Sequence, residues 1–277
     1  MKYSKNPYSK LTGLGKIERE KYSALLRGFK ATISVADAAS TLNIQPDKAA
    51  MLLALFARKG WLKRIHYGVY IPIPLESTTS DVLPEEPFAI ANELFSPCYI
   101  GGMNAANYWN LTEQIFRTIT VMTQKQLRDR RPNIAGIEYA IHTIKPRYFF
   151  GLKSIWAGQR NVNLSDPTRT ILDMAIFPQF CGGLRFITDV LQNYWRSEHK
   201  NVDLLIEYLI QAQNGAAIKR LGFLVEKYFP QEDKLITHCL NNLTQGYVKI
   251  MPERDCPRLI SHWRLWVPNN WKDLKND

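Results

Sequence analysis

Between Ser34 and Pro72 the apolar residues change period once. Val35, Ala38, Ala39 and Leu42 fall at i, i+3, i+4 and i+7, which predicts a helix over Ser34–Leu42. Ser34 can cap that helix with its hydroxyl, and Asp37 stands at N3 as the acidic half of a capping box. Asn43-Ile44 ends it, because Asn tolerates the left-handed conformation a tight turn needs. Pro46 suits the first position of the next helix, where its missing N–H costs nothing. There Ala49, Leu52, Leu53 and Phe56 repeat the inward stripe, and Gly60 stops it. From Trp61 the helical period is lost. Trp61–Ile65 reads as a strand, His66-Tyr67-Gly68 as a short connection, and Val69–Ile71 as the returning strand.

Helix, tight turn, helix and hairpin follow one another in the order of a winged helix-turn-helix. In the helix-turn-helix class the second helix enters the major groove and the first crosses the backbone. Gln45, Asp47, Lys48, Met51 and Arg58 stay on or near the outer face of that second helix, so they are candidate DNA-binding residues, with Gln45 and Lys48 in the first turn that meets base edges. Lys63, Arg64, His66 and Tyr67 lie on the hairpin, where they suit phosphate or sugar contact.

The rest of the chain frames this segment. Lys16–Phe29 reads as a helix with Tyr22, Leu25, Leu26 and Phe29 inward, after a polar, basic arm over Met1–Gly15. Pro72, Pro74, Pro84 and Pro87 bracket a Ser/Thr-rich stretch and mark a boundary. The expected organisation is mixed α/β (α+β). A winged-helix domain spans 1–75, a linker 76–87, and a larger C-terminal α/β domain, with a small sheet and several helices, 88–277.

In that second domain short helices are expected at Phe88–Phe95 and Met103–Trp109, joined by a turn at Tyr99–Gly102. Strands are expected at Phe116–Met122, Ile137–Ile144, Phe149–Trp156 and Asn161–Leu164. Lys125–Arg131 is a basic run on a loop. The helices Leu184–Trp195, Val202–Gln213, Ala216–Tyr228 and Asp233–Leu243 follow, with closing strands at Val248–Met251 and His262–Val267. Between strand and helices stands Ser165–Asp173, SDPTRTILD. Asp166 fits an N-cap and Pro167 the first helical position. Arg169 and Asp173 lie at i, i+4 and can pair. Such a pair serves either an exposed functional face or a buried structural contact.

Charge changes the picture more than composition does. The chain has 277 residues and a net charge of +11. Residues 1–75 hold 13 Lys/Arg against 4 Asp/Glu, a net of +9, and the remainder is close to neutral. That asymmetry suggests a polyanion-binding module joined to a near-neutral one. The four cysteines have no C-x-x-C spacing, so a disulfide framework or zinc ribbon is not expected and buried free thiols are. No segment reads as a signal peptide or membrane span, which favours a cytoplasmic protein.

The chemistry of catalysis is sparse. His238 with Cys239, and Cys256 with His262, lack zinc-site spacing. The chain contains no G-x-S-x-G, no phosphate-binding G-x-x-x-x-G-K-[ST] and no G-x-G-x-x-G. No catalytic residue, metal or cofactor is therefore expected. The alternative is a winged helix tethered to a metal-dependent nuclease, with Glu138 on a strand and Lys145 beyond it.

Taken in order, GWLKRIHYGVYIP (Gly60–Pro72), the W-x-G at Trp156–Gly158, SDPTRTILD, Pro178 and Gly182-Gly183 resemble the AbiEi antitoxins of type IV abortive-infection toxin–antitoxin systems. The resemblance covers most of the chain. It implies a DNA-binding repressor that acts on inverted repeats in its own promoter. It implies a C-terminal domain with antitoxin activity, to which Asp166, Arg169, Thr170 and Asp173 belong. It also implies a nucleotidyltransferase-like toxin, opposed without a stable complex. Met51 departs from the basic or polar reader such proteins often carry at that face.

Overall fold

The computed structural model describes residues 13–28, 32–73 and 86–269. Phe29, residues 1–12 of the expected arm and most of the expected linker lie outside them. The chain is mixed α and β. It forms two compact units, one of Met1–Cys98, Arg117–Ile141 and Ser154–Val162, the other of Tyr99–Phe116, His142–Lys153 and Asn163–Asp277.

The first unit begins with α1 (Lys16–Arg27), β1 (Ile33–Ser34), α2 (Val35–Leu42), α3 (Pro46–Arg58), β2 (Leu62–His66) and β3 (Val69–Pro72). Local chemistry sets these boundaries. The Ser34 hydroxyl accepts the Asp37 N–H at 3.0 Å, and Asp37 Oδ2 accepts the Ser34 N–H at 3.0 Å, a complete capping box. Asn43 closes α2 at φ 51°, ψ 51°, and Pro46 opens α3. Tyr22, Leu25, Ala38, Ala49, Leu53, Phe56 and Leu62 share one core, and the Tyr22 hydroxyl donates to the Trp61 carbonyl at 2.9 Å. Full burial of a side chain such as Leu53 stabilises by about 1.5–3 kcal/mol. Leu26, expected inward, is 38% exposed instead, because α1 turns only Tyr22 and Leu25 fully onto that core. β1 was not legible in the sequence. It pairs with β3, Ile33 opposite Tyr70, so the small sheet has the order β1-β3-β2.

Then come α4 (Pro87–Phe95), β4 (Cys98–Ile100), α5 (Gly102–Tyr108), β5 (Thr118–Thr123), β6 (Asn133–Ile134), β7 (Ile137–Thr143), β8 (Leu152–Ala157) and β9 (Arg160–Ser165). The expected turn at Tyr99–Gly102 is half wrong: Tyr99 and Ile100 are strand, paired parallel to β9 with Ile100 opposite Leu164. In β5 the residues from Ile119 to Thr123 are all buried, so both its faces are covered. The strand expected from Phe149 starts at Leu152, after a 3-10 turn at Pro146–Tyr148. The six strands follow the order β6-β7-β5-β4-β9-β8.

In the second unit α6 (Pro167–Ile176) is the central rod, with all ten residues buried. It packs against α5, α7 (Leu184–Arg196), α8 (Val202–Ala212) and α9 (Gly215–Tyr228). α10 (Asp233–Asn241) lies on α9. A last sheet joins β10 (Val248–Lys249), β11 (Arg258–Ile260) and β12 (Leu265–Val267) in the order β10-β12-β11. β11 was not foreseen, and His262 sits in a 3-10 turn and not in a strand. That turn brings Trp263 onto α9, where a Cβ at Gly222 would clash with the indole. No helix among the described residues is long and apolar enough to cross a membrane.

Candidate functional site

Two groups of sequence-predicted residues meet in the structure, one exposed and one buried. The exposed group is on α3 and the β2–β3 hairpin. Gln45 precedes α3 in extended conformation and its side chain makes no capping bond. Asp47, Lys48, Met51 and Arg58 are exposed on the helix. The inward stripe of Ala49, Leu53 and Phe56 fixes which face that is.

The hairpin tip is ordered by its own side chains. A register shift between Arg64 and His66 bulges β2, and Gly68 turns the chain at φ 70°. Arg64 Nε donates to the His66 carbonyl at 3.2 Å, and its guanidinium sits 5.1 Å from the Tyr67 ring centroid. Tyr67 is 85% exposed. The structure thus brings Arg64, His66 and Tyr67 together, with half-buried Lys63 one residue before them. Held this way, the guanidinium loses less freedom on meeting an anion.

The buried group is Asp166, Arg169, Thr170 and Asp173. All four lie in the interior, so Arg169 and Asp173 do not form a helix-surface pair. Asp166 caps α6 by accepting the Arg169 N–H at 2.7 Å, and its other oxygen accepts the Tyr208 hydroxyl at 2.6 Å. Thr170 bonds back to the Asp166 carbonyl at 2.8 Å. Arg169 donates to Asp173 Oδ1 through Nη2 at 2.8 Å and Nε at 3.0 Å, and to the Tyr99 hydroxyl at 3.0 Å. Tyr99 in turn donates to Asp173 at 3.1 Å. The guanidinium lies 4.3 Å from the Phe150 ring centroid.

Burial pushes the Asp173 carboxyl above the usual aspartate range, against the pull of Arg169. Burial also opposes the charge on Arg169, but Asp173 and Tyr99 outweigh it and hold the guanidinium above its ordinary value. Arg169 Nη1 and Asp173 Oδ2 have no hydrogen-bond partner. Tyr99, Phe150 and Tyr208 were missed in the sequence. Tyr99 is 70 residues from Arg169, and no local pattern links them.

Among the described residues no cluster of three His, Cys, Asp or Glu side chains could hold a metal ion. Glu138 accepts from Thr118 at 3.5 Å and lies 3.6 Å from Arg131. All four cysteines are free and buried, and burial pushes Cys98 up to about 11 and Cys239 up to about 12. Such thiols are poor nucleophiles. No known protein-family model matches this chain, and no curated protein matches it.

Proposed function

We propose that the chain is a sequence-specific DNA-binding repressor, with α1 to β3 acting as a winged helix-turn-helix. The carrying observation is the exposed face of α3 beside an ordered, basic hairpin, within a segment of net charge +9. Duplex DNA is the partner this favours. The first turn of α3, with Gln45 and Lys48, meets base edges in the major groove. Arg64, His66 and Tyr67 hold phosphate and sugar.

The likeness of Gly60–Pro72, Trp156–Gly158 and Ser165–Asp173 to AbiEi antitoxins extends the reading. On it the protein represses its own operon through inverted repeats, in the cytoplasm, and opposes a nucleotidyltransferase-like toxin without a stable complex. The buried α6 motif then serves the antitoxin half by holding its fold, and not by touching a partner.

Two measurements test this. The full chain should retard duplex DNA from upstream of its own gene at concentrations that leave random duplex unbound. Equal affinity for both, or none, overturns the repressor reading. Co-expression should restore growth to cells making a nucleotidyltransferase-like protein encoded beside it, with no complex recovered on purification. Continued growth arrest overturns the antitoxin reading.

A further inference from the structure

The outer face of α3 carries one large, freely exposed apolar side chain. Met51 is 73% exposed. At about 3.6 residues per turn it lies at the middle of a face shared with Asp47, Lys48, Ala54 and Arg58, all exposed. The core takes Ala49, Leu53 and Phe56 from the opposite side, so Met51 packs no interior. A single exposed apolar residue needs no explanation by itself. Its flanks give it one: Lys48 stands one turn before it and Arg58 two turns after. Cations at both ends suit a polyanion better than an apolar protein surface. Within the major groove, the apolar feature of a base edge is the C5-methyl of thymine. An unbranched, polarizable thioether adapts to such a small apolar target, and the short Ala54 beside it leaves room for close approach.

We infer that Met51 contacts a thymine C5-methyl in the major groove and so sets a thymine preference at one position of the bound sequence. This rests on the DNA-binding reading and adds which base is read and through which atom.

The test uses the full chain. A preferred duplex is first selected from a random-sequence pool. Each thymidine in it is then replaced singly by deoxyuridine, which removes the methyl and leaves every hydrogen-bonding atom in place. At one thymidine or two, the wild type should bind about fourfold more weakly, the worth of one buried methyl-sized group. Met51→Ala and Met51→Gln should melt like the wild type and bind the thymidine and deoxyuridine duplexes equally. If no thymidine shows the effect in the wild type, or if the variants keep it, Met51 is not the reader. In either case a selected sequence still stands for the DNA-binding reading. If no sequence is selected and no duplex bound, that reading falls and the methyl contact falls with it.

Discussion

Arg169 and Asp173 form a 2.8 Å ion pair with neither side chain exposed to solvent. Four residues apart on α6, they resemble a surface pair in sequence, yet α6 is covered on every side. A surface pair of this spacing contributes about 0.2–0.5 kcal/mol. A buried one behaves differently, since removing one partner leaves the other charged, desolvated and alone.

Arg169→Ala should therefore cost about 3–5 kcal/mol of stability, measured by urea denaturation. Replacing both partners, as Arg169→Met with Asp173→Leu, should cost less than the single change. A single variant that melts within experimental error of the wild type would show that the pair is not buried in solution.

The loss should depend on pH. The folded-state pKa of Asp173 is raised, so the stability linked to it is complete below the unfolded pKa and is lost as pH rises through the folded one. Without Arg169 burial acts unopposed and raises that pKa further. The deficit of Arg169→Ala should shrink as pH falls from neutral to below about 4, where the carboxyl is protonated in both states. A deficit that is constant across this window would refute the linkage to Asp173.

Ser34→Ala removes one half of the α2 capping box, leaving the Asp37 N–H without its side-chain acceptor. The expected cost is about 1 kcal/mol, seen as a lower denaturation midpoint with an unchanged slope. Ser34→Thr should recover most of it, because its hydroxyl can both accept the Asp37 N–H and donate to Asp37 Oδ2.

Gly222→Ala should destabilise the second unit by about 1–3 kcal/mol through overpacking against Trp263. The buried indole donates to Glu226 at 2.6 Å, which leaves it little room to move. Trp263→Phe in the same background should relieve part of the strain. If the Ala variant is as stable as the wild type, α9 and the 3-10 turn approach less closely than described.

For DNA binding, Lys48→Ala should cost about 1–3 kcal/mol on the preferred duplex and relax its preference at particular base pairs. Arg64→Ala should weaken all duplexes alike and lower the salt slope by about 0.9 per phosphate lost. Identical losses on preferred and random duplex for both variants would dissolve the division between readers and clamps.

Features decided within one turn of chain are legible in the residues alone. Ser34 with Asp37, Asn43, Pro46, Asp166 and Pro167 sit where their hydrogen bonds or fixed dihedrals require. The outward face of α3 was legible too, because its inward stripe has a helical period. Tertiary structure decided everything that depends on a distant partner. β1 is two residues long, too short to show a period, and exists because β3 pairs with it. β5 is buried on both faces by elements distant in sequence. Arg169 and Asp173 became interior because Tyr99 and Phe150 meet them and α5, α7, α8 and α9 pack around α6. A spacing of four residues brings two side chains together, but whether water reaches them is settled by what packs over the helix.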